Sequence, residues 1–378
     1  MSIFENITKR ATVPFRYDIV GSFLRPQRLK EAREQLAAGK ITPADLTQVE
    51  DEEITKLVSK QKEVGLKAVT DGEFRRSYWH LDFFWGFDGV EHIVLDHGYF
   101  FHGEETRADS ARLSGKISFK DHPFLAHYKY LKQIAGNEVT ARQTLPSPAQ
   151  FFAELVRGEN AKATALYYPD REELYRDISA AYHKAILAFY DLGCRNLQLD
   201  DCTWGMLCDK NFWSAMAGDG YDVEELLKLY LRLNNDAIAD LPKDLTVTTH
   251  VCRGNYHSTW ATSGGYEPVA KTLFGGEHVS AYYLEYDTDR AGDFTPLKEV
   301  SGEKSVVLGL ISSKTGILED KEQIINRIKE AAQYISPDRL CLSPQCGFAS
   351  TEEGNILTEE EQWKKLSFIK EIADEVWG

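Results

Sequence analysis

The run Thr249, His250, Val251, Cys252 closes a β-rich stretch, LTVTTHVC (245 to 252), and sets an imidazole and a thiol two residues apart. Alternate side chains of an extended strand point the same way, so both groups can reach one ion. Glu285, near the end of VSAYYLEY (279 to 286), and Cys346, the last residue of RLCLSPQC (339 to 346), end strands of their own. Two thiolates, one imidazole and one carboxylate suit zinc, whose borderline softness accepts sulfur, nitrogen and oxygen donors. A His-x-Cys pair alone is commonplace, and Cys194, Cys202, Cys208 and Cys341 can serve as small buried hydrophobes. What distinguishes His250 and Cys252 is that Glu285 and Cys346 end other strands.

The elements that must position these groups form an alternation. β-Rich runs recur at 18 to 23, 66 to 73, 138 to 146, 194 to 201, 245 to 252, 279 to 286, 305 to 312 and 339 to 346. Amphipathic segments of helical length lie between them: 26 to 37, 43 to 64, 170 to 192, 222 to 239, 320 to 335 and 359 to 375, with weaker ones at 148 to 157 and 267 to 274. Strand then helix, eight times over, predicts one α/β domain, a (β/α)8 barrel spanning 1 to 378. An open dinucleotide-binding sheet would rarely need eight units, and no G-x-G-x-x-G follows the first strand. A segment after strand two, about 86 to 137, exceeds what one connection needs and reads as an insertion over the barrel mouth. Within it HGYFFHGE and GKISF alternate like short strands, and HYKYLKQIAG reads as a helix ending at Gly136. Active groups of such barrels gather where the strands end. Here those ends carry Gly21 and Ser22, Asp71 to Glu73, Ser147, Asp200 and Asp201, and the four candidate ligands.

Composition narrows the partners. Lys and Arg total 44 against 59 Asp and Glu, a net charge of −15, which repels phosphate backbones and anionic lipid. No nucleic-acid or membrane partner is expected. The N-terminal stretch has no apolar run of signal-peptide length and no segment reaches the length of a membrane span, which predicts a cytoplasmic protein. Its six cysteines are then expected to stay reduced. A homodimer is compatible with this composition.

Taken together, these motifs resemble the catalytic barrel of the cobalamin-independent methionine synthases. That family carries zinc on a His-x-Cys strand end, a later Glu and a Cys in a Pro-x-Cys-Gly context, similar here to His250 and Cys252, Glu285, and Pro344 to Gly347. The I-V-G-S-F opening with Gly21 and Ser22, the T-D-G-E run with Glu73 and the L-Q-L-D-D run with Asp200 extend the likeness along essentially the whole chain. The resemblance implies a Zn2+ cofactor, homocysteine as the thiol and a methyl donor such as 5-methyltetrahydrofolate (polyglutamate). It also implies that Glu73 and Asp200 hold the homocysteine ammonium, a role their chemistry supports, with the Gly21 and Ser22 amides and the Ser22 hydroxyl as donors to its carboxylate. The competing reading pairs Glu73 and Asp200 with Arg75 or Arg76 as structure.

Two departures bear on the donor. Full-length members have a second barrel that helps hold the polyglutamate tail, whereas the likeness here is to the catalytic barrel, so tail length is expected to matter little. The family's histidine after strand seven is replaced by I-S-S-K-T-G, with Lys314 as its only ionisable side chain. Loss of an amine leaving group needs an acid, and Lys314, His80 and His257 are the candidates. Trp79, Trp204 and Phe151 are candidates to stack on a flat donor ring. Alternative functions are a zinc alkyltransferase acting on another thiol, a zinc hydrolase, for which two thiolates are unusual ligands, or a structural zinc site.

Overall fold

A computed structural model of the chain describes residues 4, 7, 9 to 213 and 222 to 378. In chain order its strands are β1 (Ala68–Val69), β2 (Asp88–Val94), β3 (Phe100–Phe101), β4 (Glu104–Glu105), β5 (Asp109–Ser118), β6 (Thr140–Pro146), β7 (Asn196–Asp201), β8 (Thr246–Val251), β9 (Ala281–Glu285), β10 (Ser305–Ile311) and β11 (Leu340–Pro344). Seven of them form one parallel sheet in the order β1-β6-β7-β8-β9-β10-β11. β6 to β11 are buried along nearly their whole length, because helices cover the outside and side chains fill the inside.

The sheet curls into a (β/α)8 barrel, and the segment expected as the first strand lies between its two edges. Leu342 of β11 receives Asp18 N–H (2.9 Å) and donates to Arg16 O (2.8 Å), while Phe23 N–H reaches Gly72 O beyond β1 (3.1 Å). Only the Tyr17–Leu342 bridge is regular there. The reason is competition for carbonyls. Arg142 donates to Ile19 O (2.6 Å) and Gln198 to Val20 O (2.7 Å), so buried side chains from the barrel interior take acceptors that a ladder would use. Below these contacts Asp18, Arg142 and Tyr283 form a buried network at the barrel floor.

Helices follow the sequence pattern within a few residues, and their starts are chemically marked. Thr42 with Asp45 and Thr358 with Glu361 form reciprocal capping boxes at Pro43–Glu63 and Glu359–Trp377. Between β1 and β6 the chain forms two antiparallel pairs, β2 with β5 and β3 with β4, then the helix Pro123–Ala135, ended by Gly136 at φ 66°. β2 lacked a clear signal in the sequence. The β2 to β4 region carries the exposed apolar side chains Val94 and Phe100. No described helix is long and apolar enough to cross a membrane.

Candidate metal centre and active-site cavity

His250 is the penultimate residue of β8 and Cys252 directly follows that strand, Glu285 ends β9, and Cys346 lies two residues beyond β11. Their donor atoms lie within 4.8 Å of one another and all four residues are buried. Cys252 Sγ and Cys346 Sγ are 3.7 Å apart. His250 Nδ1 sits 3.1 Å from Tyr283 O, and a carbonyl can only accept, so Nδ1 carries the hydrogen and the Nε2 lone pair is free. Nε2 is buried without a hydrogen-bond partner. A buried, unsatisfied lone pair facing two sulfurs and a carboxylate fits a cation, and the carbonyl behind the ring fixes the tautomer that a metal needs.

Electrostatics within the cluster run the same way. Hydrogen bonds from Cys202 and Cys346 hold Cys252 well below the usual thiol pKa, while those two thiols are pushed up as the donors. Burial, then the Cys252 charge, pushes Glu285 up to about 7, against nearby Lys314, Arg290 and Arg253. Glu285 also accepts the Arg253 amide (3.2 Å) and faces Arg290 at 3.4 Å. Cys202 therefore joins the thiol group, which its sequence position did not reveal; its place just after Asp200 and Asp201 at the end of β7 was the available signal. Gly347 lets the Cys346 loop pass the first segment, since a Cβ there would lie 1.9 Å from Ser22 Oγ.

The cluster opens into a cavity of about 820 Å³ between the strand ends and the insertion, and Ser22, Glu73, His80, Asp200, Cys202, His250, Cys252 and Cys346 all line it. Residues 154–373 match the model of the cobalamin-independent synthase catalytic domain. The chain belongs to that family. Over 370 residues, 98% of the chain and 96% of the relative, it is 50% identical to the uncharacterized protein YxjH of Bacillus subtilis. It is 22% identical to the methionine synthase of Pyrococcus abyssi over 87% of the chain and 85% of that protein. The crystal structure of the putative vitamin-B12-independent methionine synthase from Listeria monocytogenes superposes with a TM-score of 0.77 at 41% identity, covering 98% of this chain and all of that one.

In this family member the acidic pair is built differently on its two sides. Glu73 has the left-handed φ of 62°, a costly conformation for a side-chain-bearing residue, held by Asp71, whose carboxylate accepts the Glu73 amide (2.9 Å). Its carboxylate accepts from Thr144 (3.0 Å) and pairs with Arg76 (3.2 Å), leaving Oε2 buried and unpartnered. Arg75 instead turns away to Glu50 and Asp51. Asp200 accepts from Gln198 (2.8 Å); burial and the neighbouring Glu73 push its pKa up to about 7, against the influence of His250. Its neighbour Asp201 points to the opposite face of β7, where Asn234 links it to Glu277. The Ser22 hydroxyl accepts the Ala349 amide (3.3 Å) and retains its own hydrogen, whereas Gly21 carries φ 146° and gives its carbonyl to Thr70.

The proposed acids are scattered. His80 lines the cavity, but burial lowers its pKa to about 3 and Tyr99 holds its Nε2 at 2.9 Å. Lys314 is buried, donating to Asn255 Oδ1 (2.8 Å) and Gly254 O (3.3 Å), and is not among the lining residues. His257 faces Glu104 at 3.5 Å outside the lining. Of the aromatics, Trp79 lines the cavity, while Trp204 and Phe151 lie fully inside the core.

Proposed function

We propose that this chain is a zinc-dependent thiol methyltransferase that methylates homocysteine to give methionine. The observation that carries the reading is the buried His250, Cys252, Glu285 and Cys346 group at the base of a cavity that also holds Glu73 and Asp200. Two zinc–sulfur bonds of about 2.3 Å at a tetrahedral angle put their sulfurs about 3.8 Å apart, and the thiols here stand at 3.7 Å. Zinc held by these four residues would favour the thiolate of an incoming thiol at neutral pH. The protein itself then has to orient the acceptor and exclude water. Asp200 and the unpartnered Oε2 of Glu73 line the cavity and would receive the ammonium, and the Ser22 hydroxyl would donate to the carboxylate. The methionine synthase name of the Pyrococcus abyssi relative supports homocysteine as the acceptor.

Cobalt-substituted protein provides the test. Homocysteine should produce new sulfur-to-cobalt charge-transfer absorption, and homoserine, which lacks the thiol, should not. An unchanged spectrum with homocysteine would refute direct engagement of the acceptor at this centre and return the site to a structural or hydrolytic role.

A further inference from the structure

The cavity that receives the methyl donor has a chemical character of its own, and among its described lining residues there is no lysine. Two arginines line it, and both are committed. Arg157 pairs with Glu154 (3.2 Å) and lies 4.1 Å over the Tyr99 ring. Arg253 donates to Gly264 O (2.8 Å) and to the Tyr266 hydroxyl (2.9 Å). Of the cavity's four carboxylates, Glu73 pairs with Arg76 (3.2 Å) and Glu159 with Lys162 (2.5 Å), while Asp200 deep inside and Asp96 on the exposed outer wall have no ion-pair partner among the described residues. Part of the remaining wall is aromatic. Trp79, Phe101 and Phe212 are only partly buried and line the space. One face of Trp79 is covered by His80 at 4.6 Å. With Glu73 and Asp200 assigned to the acceptor's ammonium, the partly open rings and the unpaired Asp96, with no uncommitted arginine or lysine in the lining, stabilise positive charge and disfavour an anionic ligand.

We infer that the methyl donor is a small onium cation, a methylsulfonium, seated against the aromatic wall; this rests on the thiol methyltransferase reading above. The step is a direct displacement. The acceptor thiol loses its proton to water, and its sulfur attacks the methyl carbon. A new carbon–sulfur bond forms as the donor's methyl–sulfur bond breaks, and the bonding pair returns to the donor sulfur, which leaves as a neutral thioether. No oxidant or reductant is consumed. A thioether needs no proton on departure, whereas an amine does. That agrees with the placement of the candidate acids: Lys314 and His257 lie outside the lining, and the His80 imidazole is neutral at physiological pH.

The test uses two nearly isosteric molecules that differ in charge, dimethylsulfonioacetate and 3-methylbutanoate, titrated calorimetrically into the zinc-loaded protein. The sulfonium should bind at least about tenfold more tightly. Trp79→Leu should reduce that ratio severalfold while leaving 3-methylbutanoate affinity and zinc content unchanged. In parallel, homocysteine methylation should be faster with dimethylsulfonioacetate than with monoglutamyl methyltetrahydrofolate. Equal affinity for the two isosteres, or turnover from the folate alone, overturns the onium assignment. Because the isostere comparison needs no thiol, it stands apart from the cobalt experiment, which judges the acceptor reading by itself.

Discussion

Replacing Asp200 with Asn should strengthen the fold and weaken the acceptor site in one stroke. Asp200 is buried, accepts one hydrogen bond from Gln198, and has its pKa raised from 3.8 to about 7 by burial and by Glu73. Three pKa units correspond to about 4 kcal/mol. Because the folded pKa lies above the unfolded one, the unfolded chain ionises first. The cost therefore appears above pH 4 and is complete above pH 7. Asn keeps the oxygen that faces Gln198 and never ionises. In metal-free protein at pH 8, Asp200→Asn should raise Tm by roughly 5 °C, given the unfolding entropy of a chain this long. At pH 5 less than half of that gain should remain. In zinc-loaded protein the same change would remove the proposed, partly desolvated partner of the homocysteine ammonium, at a cost of roughly 2 to 5 kcal/mol. That is about 30-fold to a few thousandfold in Kd. Calorimetry of unfolding and of homocysteine titration reads both. A lowered Tm at pH 8 together with unchanged affinity would refute the reasoning, since Asp200 would then be a structural acceptor.

Cys252→Ser and Cys346→Ser should each lose most of their zinc by elemental analysis while keeping the far-UV signature of the barrel, because the eight-membered ring of segments closes without them; full zinc in both variants sinks the centre. Gly347→Ala would drive a Cβ to 1.9 Å from Ser22 Oγ, so it should cost about 1 to 3 kcal/mol in denaturant unfolding and lower zinc content; wild-type stability would show that the loop yields freely. Glu277, pushed up to about 8 by burial and then by Asp201, is neutral in the fold below that pH. Stability should therefore fall as pH rises from about 4.5 to 8, and Glu277→Gln should flatten that profile in thermal melts.

The clustering of His250, Cys252, Glu285 and Cys346 was legible in the sequence because period-two alternation and strand ends are local properties, and β8, β9 and β11 keep them. The first strand was legible as a segment but not as a ladder, since the side chains that claim its carbonyls, Arg142 and Gln198, lie more than a hundred residues away. Cys202 reads like Cys194 or Cys208 in sequence, and only the curl of the sheet sets it beside Cys252. Trp79 and Trp204 likewise look alike as aromatic residues near strand ends; one lines the cavity and the other fills the core. Lys314 lies just past β10, as the strand pattern required, but its ammonium is spent on Asn255 and Gly254, a long-range contact with no sequence signature.

The spacing of the four ligands also sets a timetable. Cys252 and Cys346 are separated by 94 residues, which a ribosome adds in about 5 to 20 seconds. Throughout that interval the nascent chain presents His250 and Cys252 without their last partner, so no tetrahedral site exists until nearly the whole barrel has been made. Capture of zinc at the proposed site would then be a late event that follows ring closure, and a cell short of zinc would accumulate chains that are folded but not loaded.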